Sequence, residues 1–244
     1  MSLSFLHLTS VDSTNAFLLD RASSRNIANL VVYADSQSHG KGLGTNTWES
    51  QPSKNLTFSI ALNTGFIELG NQFRLSQCVA VALHKFLSNY LDVNKLLIKW
   101  PNDILFDHQK ISGVLISNLL KDNKMDLSIV GVGLNVNQTE FQDWPTNPVS
   151  MKMVTGLDYA LYDLLHSVAD SIYVNLESLK NGGFSSINDY YLNHLYRYRQ
   201  WGEYSFDSQN RRLFMKGIDD FGRLVLCDDG SGEYVFDVKQ VKFL

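Results

Sequence analysis

A mixed α and β fold in two unequal parts is predicted by three observations. Through about residue 199, apolar residues recur at both helical and strand spacing, with several candidates for each. After Gly202 short β-like runs are broken by Ser208-Gln209-Asn210, Asp219-Asp220, Asp228-Asp229-Gly230 and Ser231-Gly232, as in a small sheet or barrel. The 244 residues, 44% of them hydrophobic, suffice for one large core plus a small appendage. A boundary near Arg199 divides the chain into segments 1–199 and 200–244.

The elements follow in order. Asp12-Ser13-Thr14-Asn15 supplies capping side chains for a short helix that starts at Ala16 and ends near Ser23. Leu30 to Ala34 reads as a strand, residues 35–53 as a long polar loop within the core, and Asn55 to Leu62 as a half-buried alternating strand. Helical spacing predicts a buried helix from Phe73 to Leu91. Strands follow at Leu96–Trp100, Ile111–Leu119 and Leu127–Val136, the last two joined by a hairpin turn at Asp122-Asn123. Helices are predicted from about Asp158 to Lys180 and from Ile187 to Tyr196.

Composition excludes several functions. Twenty-one Lys and Arg against 25 Asp and Glu give a net charge of -4, so no bulk basic field recruits nucleic acid or an anionic membrane. Any cationic site must be local. No apolar run approaches the roughly 20 residues of a membrane span, and Met1-Ser-Leu-Ser-Phe5 lacks the features of a signal peptide. Cys78 and Cys227 have no metal spacing, and a reducing cytoplasm is expected.

Four segments carry chemistry. Lys99-Trp-Pro-Asn-Asp-Ile-Leu105 gathers an ammonium, an indole, an amide and a carboxylate around a proline corner. The same run also reads as strand-turn-strand with a solvated Asn-Asp tip. The loop from Gln37 to Trp48 has glycines at 40, 42 and 44 and a cation at Lys41, which suits an anion, although a flexible surface loop would look alike. It matches neither the P-loop nor the dinucleotide fingerprint. In Gly131-Val-Gly133-Leu-Asn135-Val-Asn137, strand glycines indicate either a close approach to the backbone or a bulge. Lys110 opens the apolar strand Lys110-Ile-Ser-Gly113, where most lysines reach to solvent.

In this order, Asp12-Ser-Thr-Asn15, the Gly-Lys-Gly loop ending in Trp48, Lys99-Trp-Pro-Asn-Asp103, Lys110 to Gly113 and Gly131-Val-Gly-Leu-Asn135 resemble the biotin protein ligases. Gly217-Ile-Asp-Asp-Phe-Gly222-Arg-Leu is similar to part of that family's C-terminal domain, so the resemblance runs from about Phe5 to Leu244. It implies an α+β fold: a class II synthetase-like, lipoate-ligase-like catalytic domain with a mixed sheet over 1–199, then a small SH3-like β-barrel over 200–244.

The implied activity joins biotin to ATP as biotinyl-AMP and transfers the biotinyl group to a lysine of a biotin carboxyl carrier protein or domain. ATP and biotin are the substrates, with Mg²⁺ arriving on the triphosphate and its protein ligands unassigned. By the resemblance, Lys110, Lys41 and Asp103 are catalytic. Ser13, Thr14, Asn15, Gln37, Gly40, Lys41, Lys110 and Gly113 hold biotin. Gly42, Leu43, Trp48, Lys99, Asn102, Asp103 and Asn135 hold ATP, with the amides of Gly40 and Gly42 as further donors. Neither nucleic acid nor a membrane is an expected partner, and the oligomeric state stays open, a homodimer among the alternatives. Two departures stand out. The first motif begins at Asp12, which leaves no room for the DNA-binding module of many relatives, and Leu43 stands where the usual pattern ends in arginine, which weakens the expected hold on the adenylate. The alternatives are a lipoate or octanoate ligase on the related fold and a non-catalytic biotin or nucleotide sensor.

Overall fold

The computed structural model describes residues 2–22, 27–142 and 147–244. Seven strands form the main sheet: β1 (Ser4–Val11), β2 (Leu30–Gln37), β3 (Leu56–Asn63), β4 (Leu96–Lys99), β5 (Asp103–Phe106), β6 (Gln109–Lys121) and β7 (Lys124–Leu134). Their order is β1-β2-β3-β7-β6-β5-β4. β1 runs parallel to β2 and every other pairing is antiparallel, so the sheet is mixed, as the resemblance implies. Asp122 and Asn123 both take positive φ, at 52° and 59°, the backbone a two-residue hairpin requires, and close β6 onto β7.

Helices cover both faces. Alternate residues of a strand face opposite sides. Accordingly Phe58, Ile60 and Leu62 join the large core with α2 (Phe73–Leu87), α4 (Leu161–Lys180) and α5 (Phe184–Asn193). Ala61 joins a smaller core with Leu18 of α1 (Thr14–Ala22), Val32 and Ile129. This double cover corrects one expectation. The alternation of β3 is real, but Leu56 through Leu62 are all buried rather than half-buried, with Thr57 Oγ1 donating to the Ala34 carbonyl and Ser59 Oγ bonded to Thr14 at the start of α1.

Other boundaries shift. α2 stops at Leu87, short of Leu91, where Asn89 Nδ2 donates to the Lys85 and Phe86 carbonyls and ends the helix. The predicted end of the first helix at Ser23 lies outside the described residues. Two elements have no counterpart among the expected ones: β1, whose mostly exposed edge position blurs its period, and the five-residue α3 (Met151–Thr155), capped by Ser150 Oγ and ended by Gly156 at φ 75°.

The second sheet begins at Trp201. Its strands are β8 (Trp201–Phe206), β9 (Gln209–Ile218), β10 (Leu224–Cys227), β11 (Glu233–Phe236) and β12 (Lys242–Phe243), in the order β11-β10-β9-β8-β12 and all antiparallel. Among the described residues the edge strands β11 and β12 do not pair, so the sheet does not close into the expected barrel. It shares the large core through Tyr204, Met215 and Leu226, and Trp100 Nε1 donates to the Gly222 carbonyl at 2.8 Å.

Candidate active site

Register builds the floor of the site. Lys99 pairs with Asp103, Asp103 with Gly113, Gly113 with Gly133, and Gly133 with Thr57, so one row across five strands puts these positions on one face. The next row holds Leu115, Gly131 and Ser59. Over these rows lies a cavity of about 1090 Å³, walled by the start of α1, the glycine loop, the β4–β5 corner and residues 238–243.

The glycines of the floor leave room for particular groups. A Cβ on Gly133 would lie 2.2 Å from Trp48 Cε2, and one on Gly113 would lie 3.1 Å from Lys110 Nζ and 3.2 Å from Trp48 Cζ3. The close approach predicted at Gly131–Gly133 is therefore made in part by the chain's own indole. Trp48 is 8% exposed and packs on the floor. A Cβ on Gly131 would meet Asn15 Nδ2 at 3.3 Å.

The charged centre stands beside the glycines. Lys110 Nζ lies 2.7 Å from Asp103 Oδ1, both side chains mostly buried, and 5.5 Å from the Trp48 ring. The segment after β7 holds Lys110 in place: Val149 N donates to the Lys110 carbonyl at 3.0 Å. The corner is tied down at Asn102, whose Nδ2 donates to the Val114 carbonyl at 2.6 Å while Val114 N donates back to the Asn102 carbonyl at 2.9 Å. The Trp100–Pro101 peptide is cis. Burial lowers the Lys99 pKa; Asp103 opposes that shift, and Lys110 and Arg197 add to it.

A polar end lies across the floor. Gln37 Oε1 accepts from Thr14 N at 2.8 Å and Thr14 Oγ1 at 3.2 Å, and Thr14 Oγ1 shares a hydrogen bond with Ser59 Oγ at 2.8 Å. Ser117 Oγ donates to Asn15 Oδ1 at 3.2 Å, while Asn15 Nδ2 is buried at the cavity without a partner among the described residues. Ser13 accepts from Ala16 N at 3.5 Å, a weak cap.

The glycine loop forms a small hairpin rather than a featureless loop. Lys41 bridges Thr47, Trp48 N donates to the Gly40 carbonyl at 2.9 Å, and Gly42 N donates to the Asn46 carbonyl at 2.8 Å.

Of the predicted residues, Ser13, Thr14, Asn15, Gln37, Lys41, Gly42, Leu43, Trp48, Lys99, Asn102, Asp103, Lys110 and Gly113 line this one cavity. Three predicted residues are placed differently. Gly40 does not line it, and is glycine because a Cβ there would lie 2.3 Å from the Trp48 carbonyl oxygen. The Gly42 amide is spent inside the hairpin instead of facing an anion. Asn135 is fully buried away from the cavity, its Nδ2 donating to the Val149 carbonyl at 3.1 Å, so it braces the segment behind Lys110. Ser59 and residues 238–243 were not anticipated. Thr57 and Ser59 at alternate strand positions were a usable signal, whereas Lys239 stands in no motif.

The lining carries Lys41, Lys99, Lys110, Lys239 and Lys242 against the carboxylates Glu49 and Asp103, in a chain of net charge -4. Positive charge is thus concentrated here, as an anionic substrate requires. Among the described residues no group of three His, Cys, Asp or Glu could hold a metal ion.

Comparison with known proteins agrees with this geometry. Residues 8–135 match the model of the biotin/lipoate A/B protein ligase family. The biotin--[acetyl-CoA-carboxylase] ligase of Paracoccus denitrificans is 27% identical over 97% of this chain and 99% of its own. The bifunctional ligase/repressor BirA of Bacillus spizizenii is 30% identical over 55% of this chain, which spans only 41% of that relative's length. Among solved structures, a biotin protein ligase from Aquifex aeolicus in complex with biotin and ATP superposes with a TM-score of 0.79 at 24% identity, covering 99% of both chains, which establishes a shared fold. With more than half of its length matched by the family model and a cavity assembled from the motif residues, the chain belongs to the biotin/lipoate A/B protein ligase family.

Proposed function

We propose that this protein is an ATP-dependent biotin protein ligase. The observation that carries the reading is the arrangement of one cavity: a buried Lys110–Asp103 pair at one end, a neutral hydrogen-bonding cluster at the other, and a glycine floor between. Biotin is a neutral ureido ring on an apolar tail that ends in a carboxylate. The ring suits Thr14, Gln37, Ser59 and Asn15 Nδ2, which has no partner among the described residues, and the tail suits the part of the lining beside the indole that packs on Gly113 and Gly133.

The carboxylate oxygen attacks the α-phosphorus of ATP; the bond to the β-phosphate oxygen breaks, and pyrophosphate leaves. A lysine amine of the carrier then attacks the acyl carbon, AMP departs, and the amine loses a proton. The chain need supply no nucleophile. Its task is to hold two anions in line and to offset the charge that builds on phosphorus. Lys110 takes that role, leaving Asp103 to share its ammonium with the substrate or to orient the incoming amine. Lys41 and Lys99 receive the phosphates, and Trp48 packs beside the adenine. Mg²⁺ would ride on the triphosphate, with Asp103 and Asn102 the oxygen donors at hand. The carrier is a biotin carboxyl carrier protein or domain, met in the cytoplasm. Segment 1–199 holds the reaction centre, and 200–244 closes its mouth.

Pyrophosphate release with ATP and either acid tests the reading. Biotin-dependent release followed by labelling of a carrier domain is expected, and lipoate-dependent release alone would move the assignment to the other branch of the family. Binding of both ligands without release would mean a sensor.

A further inference from the structure

We infer that Lys239 is a phosphate-binding residue of this site, supplied by the C-terminal sheet beside the point where the glycine loop carries Leu43; the inference rests on the adenylating reading above. Lys239 sits in a turn after β11, closed by Gln240 N donating to the Asp237 carbonyl at 3.1 Å and by Gln240 Oε1 accepting from Asp237 N at 2.7 Å. Its own φ of 73° belongs to that turn. The side chain lies across the tip of the glycine loop, so close that a Cβ on Gly44 would stand 1.7 Å from Nζ and 2.5 Å from Cε. Gly44, at φ 67°, has no side chain to bar that approach.

The charges are unequal in kind. Lys110 already faces Asp103, and Lys99 feels the same carboxylate. Among the described residues no carboxylate pairs with Lys239, and its ammonium borders the cavity. An anion under the loop would therefore find both Lys41 and Lys239 on the lining. Leu43, next to Gly44, offers no cation of its own, so the second sheet supplies by spatial proximity what the loop lacks. The polyphosphate of a nucleoside triphosphate, several charges on one chain of oxygens, is the ligand that gains most from such a pair.

The competing reading is that the lysine only packs its stem on the loop tip. Lys239→Met keeps the stem and removes the charge, and Lys239→Arg keeps the charge. Both are exposed changes that leave the core intact. ATP affinity with magnesium present, biotin affinity, and biotin-dependent pyrophosphate release are measured for each. Lys239→Met should weaken ATP about tenfold with biotin affinity unchanged, and Lys239→Arg should restore it. An unchanged ATP affinity in Lys239→Met, or an equal loss for ATP and biotin, overturns the inference. Lys239-dependent ATP binding with no pyrophosphate release by the wild type would instead remove the ligase reading and leave Lys239 in place. A wild type that binds no ATP overturns both.

Discussion

The floor and the rim of the cavity are built on opposite terms. On the floor, Lys110, Asp103 and the glycines belong to paired strands, and Asn102 and Asn135 spend their amides on holding neighbouring backbone. On the rim, Lys41 is exposed in the loop's small hairpin and Lys239 on a turn, and the loop is held by a few hairpin bonds. A charge that acts on the reacting atoms gains from being fixed before the substrate arrives, because little reorganisation is then left for the transition state. A charge that must admit a nucleotide and release a product gains from a movable support.

The largest effects should come from breaking the floor. Lys110→Ala should cut biotin-dependent pyrophosphate release by about 100- to 1,000-fold, the loss of roughly 2.7 to 4 kcal/mol of barrier that follows removal of one preorganised electrostatic contact. Its circular dichroism should stay near wild type, while its urea midpoint should fall because Asp103 loses its buried partner. Release at the wild-type rate would take Lys110 out of the chemistry.

Acid should attack the same region from behind. His84 is fully buried under β4, its Nε2–H donating to the Leu96 carbonyl at 3.0 Å and its Nδ1 accepting from Tyr190 O–H at 3.1 Å. That is a neutral imidazole with both nitrogens satisfied. Burial pushes its pKa down to about 4, against an ordinary 6.5; the Leu96 hydrogen bond opposes this, and His194 adds to it, with its ring centroid 4.4 Å away. The unfolded chain therefore takes up the proton first as pH falls. The stability His84 contributes is complete above about 6.5 and is lost toward about 4, by up to roughly 3 kcal/mol. Urea midpoints across that window should fall steeply in the wild type and less in His84→Gln, and parallel slopes would show that His84 is not the group responsible.

The contrast also explains what was legible in the chain. Floor residues occur in contiguous runs, since a strand and its tight turn place neighbours in sequence side by side in space; Lys99 to Asp103 and Lys110 to Gly113 could be read for that reason. The double cover of β3 could not be read from β3 alone, because it depends on where α1 returns. Lys239 reaches Gly44 across nearly the whole chain, and no local pattern encodes such a contact. Asn135 shows the opposite case: it stands beside site residues in sequence, but it follows the end of β7 at Leu134, and its Nδ2 donates to the Val149 carbonyl.

A single methyl tests how tightly floor and rim are joined. In Gly133→Ala the new Cβ would overlap the Trp48 indole, which must lift or push its loop outward. Overpacking of this kind costs about 1 to 3 kcal/mol. Chemical denaturation should report that loss, and hydrogen exchange should rise over residues 40–48 while β6 and β7 stay protected. Rising exchange in the strands would mean that the loop and floor open as one unit.

The smallest effect sharpens the comparison from the rim. Leu43→Arg places a forked cation at the loop tip, on a support that is free to adapt. An arginine there would hold the phosphate of biotinyl-AMP by paired hydrogen bonds that leucine cannot make. The intermediate should leave the variant a few-fold more slowly, consistent with roughly 1 kcal/mol for an exposed charged contact, and bystander lysines at high enzyme concentration should be labelled less. Carrier affinity should not change, since it does not depend on the tip. If Lys239 already fills the role, the gain in Leu43→Arg should be larger in the Lys239→Met background than in the wild type, because the two cations would compete for the same phosphate oxygens. Adenylate release measured in all four proteins decides the matter: equal gains in both backgrounds would show that the two positions act on different parts of the ligand, and no gain in either would leave Leu43 as an apolar cover over an intermediate held by Lys41 and the floor.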